Sequence, residues 1–364
     1  MNRQARADTP RRLLQICPYD TPPFGELCAA IEQAARQAEL SVTTVILGPP
    51  AAEPRTDFIY LGCEDVRRAG TLLRQHPDVG VERDYWDLVL CHRYASLRAA
   101  LKLRVANRRI AVLAHEFDML KSWRRRLFRL VFARKVNFGG VSPVVSAQLA
   151  RHTRMGFVLP NILDLEKFDA QLLSRADALR RLGLEPGPLT IGVVGRLHYK
   201  KRPELALAAF QHFAREHPQA RLVFVGGDPA THQHLLAEGV HLTGPVHDAA
   251  QAFHAFDVLL HTGNVESFGM VVLEAMAAGV PVVVAAGGGP QYVLGKLGTY
   301  PDSDDAAGYA QALAHAVDMD VEAYRQAARE RCERLFSTTA LAASLGAMVK
   351  FVDQTETDPF GPML

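Results

Sequence analysis

The sequence predicts an α/β chain built as two domains, and three observations carry that expectation. Its 364 residues compare with roughly 100–200 for one domain. Short apolar runs that read as buried strands recur along it, several of them followed by a loop and a stretch of helical period. A turn-rich segment, Gly183 to Gly187, interrupts the pattern and puts the domain boundary within 165–187. The chain is 48% hydrophobic and 22% charged, enough for a packed core in each half.

In the first half, Leu13–Cys17 reads as the opening strand, Pro18 to Gly25 as a loop, and Leu27, Ile31 and Ala34 mark one face of a helix. A glycine at such a strand-to-helix turn lets backbone approach a ligand closely. Val42 to Leu47 and Asp57 to Leu61 are the next strands. Asp87–Cys91 ends at His92, and Ile110–Ala114 ends at His115. Both histidines therefore stand at C-terminal ends of apolar strands, where open parallel sheets place their ligands.

In the second half, Leu189–Gly195 is a buried strand followed by Arg196, Lys200, Lys201 and Arg202. Pro203 then opens a helix bearing Ala206, Phe210 and Phe213. Four cations between a strand end and a helix start make an anion pocket, with arginine as a planar fork and lysine as a compact charge. Arg221–Asp228 and Val240–Gly244 are two more strands, and Val280–Ala286 runs into the loop Gly287–Gln291. Asp302-Ser-Asp304 reads as a surface turn capping a helix, not as a metal site. The last helix, 338–352, aligns Leu341, Leu345, Met348 and Val352, and 353–364 reads as a tail.

The chemistry concentrates between Asn264 and Pro281. After the apolar run Val258–Leu260, a loop holds Glu266 and a helix starting near Met270 holds Glu274, with Gly279 and Pro281 as the stop. Between the carboxylates lie the backbone amides of Phe268, Gly269 and Met270, at a helix N-terminus where donors point outward and the dipole favours anions. The span is roughly 12 Å, suited to a nucleotide sugar, since sugar hydroxyls donate well to carboxylates.

Glu266 and Glu274, with seven residues between them inside E-S-F-G-M-V-V-L-E-A-M-A-A-G-V-P, resemble the E-x7-E signature of retaining GT-B glycosyltransferases of family 4. G-R-L-H-Y-K-K is similar to that family's G-R-L-x-x-x-K, and V-L-P-N-I-L-D to its V-I-P-N-G-V-D, with Ile162 where glycine is common. Further departures are Phe24-Gly25 in place of a glycine pair, and a shortened Gly287–Gln291 loop with Gln291 where the family has an acid.

The resemblance covers about 13–350 and implies two Rossmann-like doubly wound domains facing across a cleft: 13–170 for the acceptor and 185–337 for the nucleotide sugar. A basic tail, 1–12, would precede them, and helix 338–352 would cross back to the first domain. It implies His115 and Glu266 as catalytic residues, His115 approaching the donor sugar, and Arg196, Lys201 and Gly25 on the donor diphosphate, with Lys200 as a substitute for Lys201 in another loop register. Phe268, Gly269 and Met270 would contact sugar and phosphate through their backbones, and Glu274 would hold the ribose. His92 reads as structural. No metal or cofactor is expected; the donor is a nucleotide sugar, taken as a UDP-sugar. A GT-B nucleotide-sugar 2-epimerase and a non-catalytic nucleotide-sugar-binding protein are the rival readings.

Charge points to the acceptor. Residues 1–160 carry 25 Lys+Arg against 15 Asp+Glu, a balance of +10, and 161–364 carry 16 against 24, a balance of −8. The segment Lys121–Lys135 has seven basic residues, no acidic one, and Trp123, Leu127, Leu130 and Val131 on one helical face. Such a helix suits an anionic membrane surface. These features predict an anionic glycan or glycolipid acceptor, such as a lipopolysaccharide core intermediate, met at the inner membrane face. Nucleic acid is not expected, because no stacking or groove-reading motif accompanies the arginines. Five cysteines without CxxC spacing, no signal peptide in Met1–Arg12 and no run of eighteen apolar residues predict a cytoplasmic protein with reduced thiols.

Overall fold

Strands that are apolar on both faces need helices above and below them, and the chain meets that need with parallel sheets in two separate units. The computed structural model describes residues 10–21, 24–80, 85–116, 135–149, 154, 156–246 and 248–354. The basic segment read at 121–135 lies outside the described residues except for Lys135, as does the tail beyond 354. One unit runs to Ile162 and takes in Thr338 onward; the other is Leu163–Ser337.

In the first unit the strands are β1 (Arg12–Cys17), β2 (Ser41–Ile46), β3 (Ile59–Tyr60), β4 (Leu88–His92), β5 (Ile110–Ala114), β6 (Asn137–Gly140) and β7 (Gly156–Val158). They lie in the order β3-β2-β1-β4-β5-β6-β7, all parallel, with Leu13 beside Val42 on one side and Leu88 on the other. Helices α1 (Phe24–Gln37), α2 (Val66–Gln75), α3 (Arg93–Ala100) and α4 (Pro143–Leu149) accompany the sheet. One core gathers Leu14, Val89, Val112 and Phe138; a smaller one gathers Cys17, Phe24, Cys28 and Ile46. Strand order reverses between β1 and β4, so the carboxyl ends of those strands frame a crevice.

The second unit opens with α5 (Leu165–Gln171) and α6 (Arg175–Arg181), then runs β8 (Thr190–Val194), α7 (Pro203–Phe213), β9 (Arg221–Val225), β10 (Val240–Leu242) and β11 (Val258–His261). It continues through α8 (Met270–Ala277), β12 (Val282–Val284), α9 (Gly288–Leu294), α10 (Ala306–Val317) and α11 (Val321–Phe336). Its sheet, β10-β9-β8-β11-β12, is parallel and reverses order between β8 and β11.

The boundary differs from the sequence reading. Instead of a boundary within 165–187, the second unit begins at Leu163 and takes in α5 and α6. Asp164 and Ser174 cap them, accepting from the Lys167 and Asp177 amides. Phe168 is buried against Phe253, and Arg175 donates to Asp257 at 2.9 Å. Short polar-capped helices carry too few apolar positions to show a clear period, so the turn-rich Gly183–Gly187 is the stronger signal in the sequence.

Helix α12 (Thr338–Gln354) returns to the first unit and packs on α1, with Leu341, Leu345, Met348 and Val352 buried. Gln37 donates to the Thr339 hydroxyl at 3.2 Å across that contact. Val321–Val352 as one stretch is long and apolar enough, by composition, to cross a membrane. Extended backbone at Ser337 (ψ 165°) splits it into α11 and α12, however, and the apolar face of α12 is buried in the protein. Leu345→Ala is expected to destabilise the first unit by about 2–5 kcal/mol, read as a lower urea midpoint for the protein.

Candidate functional site

In the second unit the reversal of strand order brings the chain after β8 beside the chain after β11. The turn leaving β8 is strained: Arg202 has a left-handed backbone (φ 52°) and stands at the N-cap of α7. Thr262, just past β11, holds that turn, its hydroxyl lying 2.8 Å from the Lys201 carbonyl and 3.0 Å from that of Arg202. The cationic turn and the acidic loop are thereby fixed to one another.

At their junction Lys201 Nζ donates to Glu266 Oε2 at 2.6 Å and lies 3.2 Å from His261 Nε2. His261 is 4% exposed. Burial first, and the Lys201 charge second, push its pKa down to about 4. The ring is therefore neutral at pH 7, and its Nε2 accepts from the ammonium, which places the ring proton on Nδ1. An ammonium has three N–H donors; with Glu266 and His261 taking two, one is left for another anion.

The loop beyond Glu266 is held from below. Gly289 donates its N–H to the Glu266 carbonyl at 2.9 Å, and a Cβ there would run into the backbone of Ser267 and Phe268. Phe268 is buried in edge-to-face contact with Tyr292 and Phe336, at 6.5 and 5.8 Å between ring centroids. Gly269 then starts α8 with φ 94° and no side-chain cap, so the first amides of the helix are left for a ligand. Gly287–Gln291, read as a shortened loop, is instead the start of α9. Gln291 Oε1 accepts from the Gly287 amide at 2.8 Å, a task that needs an acceptor but no charge.

Glu274 is half-buried one turn inside α8. Arg196 and Lys200 are exposed, and Lys201 is the lysine that faces Glu266. The cations converge on His198, whose pKa is lowered by partial burial and then by Lys201, Lys200 and Arg196 in turn. Arg202 instead pairs with Asp304 at 2.7 Å. The helix cap expected from Asp302-Ser-Asp304 comes from Asp305, which accepts from the Gly308 amide at 2.9 Å.

The remaining candidates lie in the first unit. Gly25 is buried in the first turn of α1, where a Cβ would strike the Asp20 carbonyl. That contact explains the glycine by packing alone. His115 follows β5, partly buried, 3.1 Å from His92 and edge-on to Phe24. Burial, then His92 and Arg93, hold its pKa well below the usual imidazole value. His261 and Thr262 were absent from the sequence candidates. The signal for His261 was the one that marked His92 and His115, a histidine ending an apolar strand.

Residues 174–333 match the family described as glycosyl transferases, group 1. This segment is a group 1 glycosyltransferase domain. Among curated proteins, a D-inositol 3-phosphate glycosyltransferase from Corynebacterium jeikeium is 31% identical over 179 residues, 44% of this chain. The chain spans less than half of that relative, 43% of its length. Among solved structures, a glycosyltransferase from Rickettsia africae aligns with TM-score 0.76 at 13% identity, over 95% of this chain and 99% of that one. An Anabaena protein solved with UDP and glucose aligns with TM-score 0.69 at 17% identity, over 94% of this chain and 100% of its own. The fold is GT-B, each unit a Rossmann-like α/β layer structure. The transferase domain holds both the Lys201–Glu266 contact and the start of α8.

Two outcomes test this geometry. Gly289→Ala should displace the 266–269 loop, seen as lost amide protection or a shifted Phe268 signal, with the sheet intact. Neutral buried His261 takes a proton at pH 6.5 when unfolded but only near pH 4 when folded. Its contribution to stability is thus whole above pH 6.5 and falls as pH drops toward 4. His261→Asn should flatten the stability–pH curve across that window, where one such group contributes a slope of up to about 1.4 kcal/mol per pH unit, measured from urea midpoints.

Proposed function

We propose that the protein is a retaining glycosyltransferase that moves a sugar from a UDP-sugar to an anionic acceptor of the cell envelope. The observation that carries this reading is the 2.6 Å contact of Lys201 with Glu266, close to the uncapped start of α8. A diphosphate placed there meets the third N–H of Lys201, the fork of Arg196 and the first amides of α8. Glu266 then accepts from sugar hydroxyls, and Glu274 from the ribose. This is charge stabilisation by groups already in place, the largest single contribution in many enzymes.

Retention follows if the departing phosphate takes the acceptor's proton on the face it leaves, so that no carboxylate attacks the sugar. Glu266, already bound to an ammonium, suits a binding role better than a nucleophilic one. Lys201 and Arg196 supply the charge that a metal supplies in other transferases. UDP fits because the similar Anabaena protein was solved with UDP and glucose. An anionic acceptor fits the +10 balance of residues 1–160, and the similar Corynebacterium protein is named for a phosphorylated acceptor. We take the acceptor to be a glycolipid such as a lipopolysaccharide core intermediate, met at the inner membrane face by the basic segment 121–135.

Lys201→Ala should slow turnover of UDP-glucose by about 10²–10³-fold with the far-UV spectrum unchanged; an unaltered rate removes the diphosphate role. Release of an epimerised sugar nucleotide would assign the protein to the 2-epimerases instead. Joint replacement of Arg124, Arg125 and Arg126 by Glu should abolish binding to anionic vesicles, and undiminished binding would remove the membrane surface as a partner.

A further inference from the structure

A chain of hydrogen bonds runs through the core of the first unit and ends at His115. Gln15, on β1 and fully buried, donates from Nε2 to the Cys28 carbonyl at 3.0 Å and to Thr44 Oγ1 at 2.9 Å. A carbonyl can only accept, so this contact fixes which end of the amide is nitrogen. Gln15 Oε1 therefore faces His92 Nε2, at 2.9 Å, and must accept from it. His92 is fully buried, and burial pushes its pKa down to about 3, so it carries one ring proton, on Nε2. Its Nδ1 is left with a lone pair, 3.1 Å from His115 Nε2. His115 must then donate from Nε2. Its own Nδ1 has no hydrogen-bond partner among the described residues.

The far end is anchored as well. Thr44 Oγ1 donates to Glu32 Oε1 at 2.5 Å, and Arg36 donates to Glu32 Oε2 at 2.9 Å. Every side-chain donor from His115 to Thr44 thus points the same way, and reversing one would set two donors or two acceptors against each other. The ring planes of His92 and His115 lie 18° apart, with Phe24 edge-on at 5.2 Å, so His115 has little freedom to turn.

We infer that Gln15 and His92 are positioning residues that lock His115 in its Nε2–H tautomer, so that it meets a sugar as a hydrogen-bond acceptor and recognises a hydroxyl hydrogen. The assignment to a sugar rests on the glycosyltransferase reading. The tautomer itself does not.

Long-range proton–nitrogen correlation spectra of the full-length protein at pH 7, with rings assigned through His92→Gln and His115→Asn, read the tautomer directly. The expected result is His92 and His115 both protonated at Nε2 and bare at Nδ1. A His115 ring protonated at Nδ1, or at both nitrogens, overturns the inference. Gln15→Met should give mixed tautomers at both rings, whereas Thr44→Val should leave them unchanged, because the Cys28 carbonyl still orients Gln15. UDP-glucose and its singly deoxygenated analogues serve as probes in equilibrium binding. Loss of one hydroxyl should weaken binding about ten-fold in the wild type and not in His115→Ala. Equal binding of all analogues by a wild type that binds UDP-glucose overturns the recognition of a hydroxyl. A wild type that binds no UDP-glucose but shows the expected tautomers refutes the donor assignment and leaves the relay standing.

Discussion

A single ammonium group, Lys201 Nζ, organises the second unit's site, held between a carboxylate and a neutral imidazole. The contact needs a topological reversal, which alone sets the turn after β8 next to the loop after β11. It also needs His261 to stay uncharged, because an imidazolium 3.2 Å from an ammonium would drive the turn away. Burial supplies that condition, and it leaves the ring's Nδ1 buried without a hydrogen-bond partner among the described residues. Neither side chain of the ion pair is fully buried, at 23% and 27% exposure. Its worth to stability is accordingly small, and its effect is to fix position.

Most of the architecture was legible because the central strands are apolar on both faces and end in turn residues. β1, β4, β5, β8, β9 and β11 are fully or almost fully buried, and each stands out as a short hydrophobic run. β6 did not stand out. Asn137-Phe-Gly-Gly140 has poor strand composition, yet all four residues are buried. The glycines are there for space: a Cβ on Gly140 would lie 2.6 Å from Val145, and one on Gly139 would strike the Phe157 carbonyl. Tertiary contact overrides local preference at that strand, and only the folded neighbours reveal it.

The site shows the same division. Spacing on one helix and one loop identified Glu266, Gly269 and Glu274, since those residues lie close in sequence. The partnership of Lys201 with Glu266 spans 65 positions and that of Gln15 with His92 spans 77, and no local pattern encodes such distances. Nor could the residue types decide the role of Gln291, which fills a backbone-capping position where an amide oxygen serves as well as a carboxylate.

The docking of α12 onto α1 has a consequence for how the polypeptide matures. A ribosome makes the first unit's strands early, but the helix that covers α1 emerges only after the whole of Leu163–Ser337. Until then the apolar surface meant for Leu341 and Leu345 stays bare, while the second unit already has all its parts and can close on its own. The half made first is finished last, and in that interval the nascent chain is most open to chaperone capture.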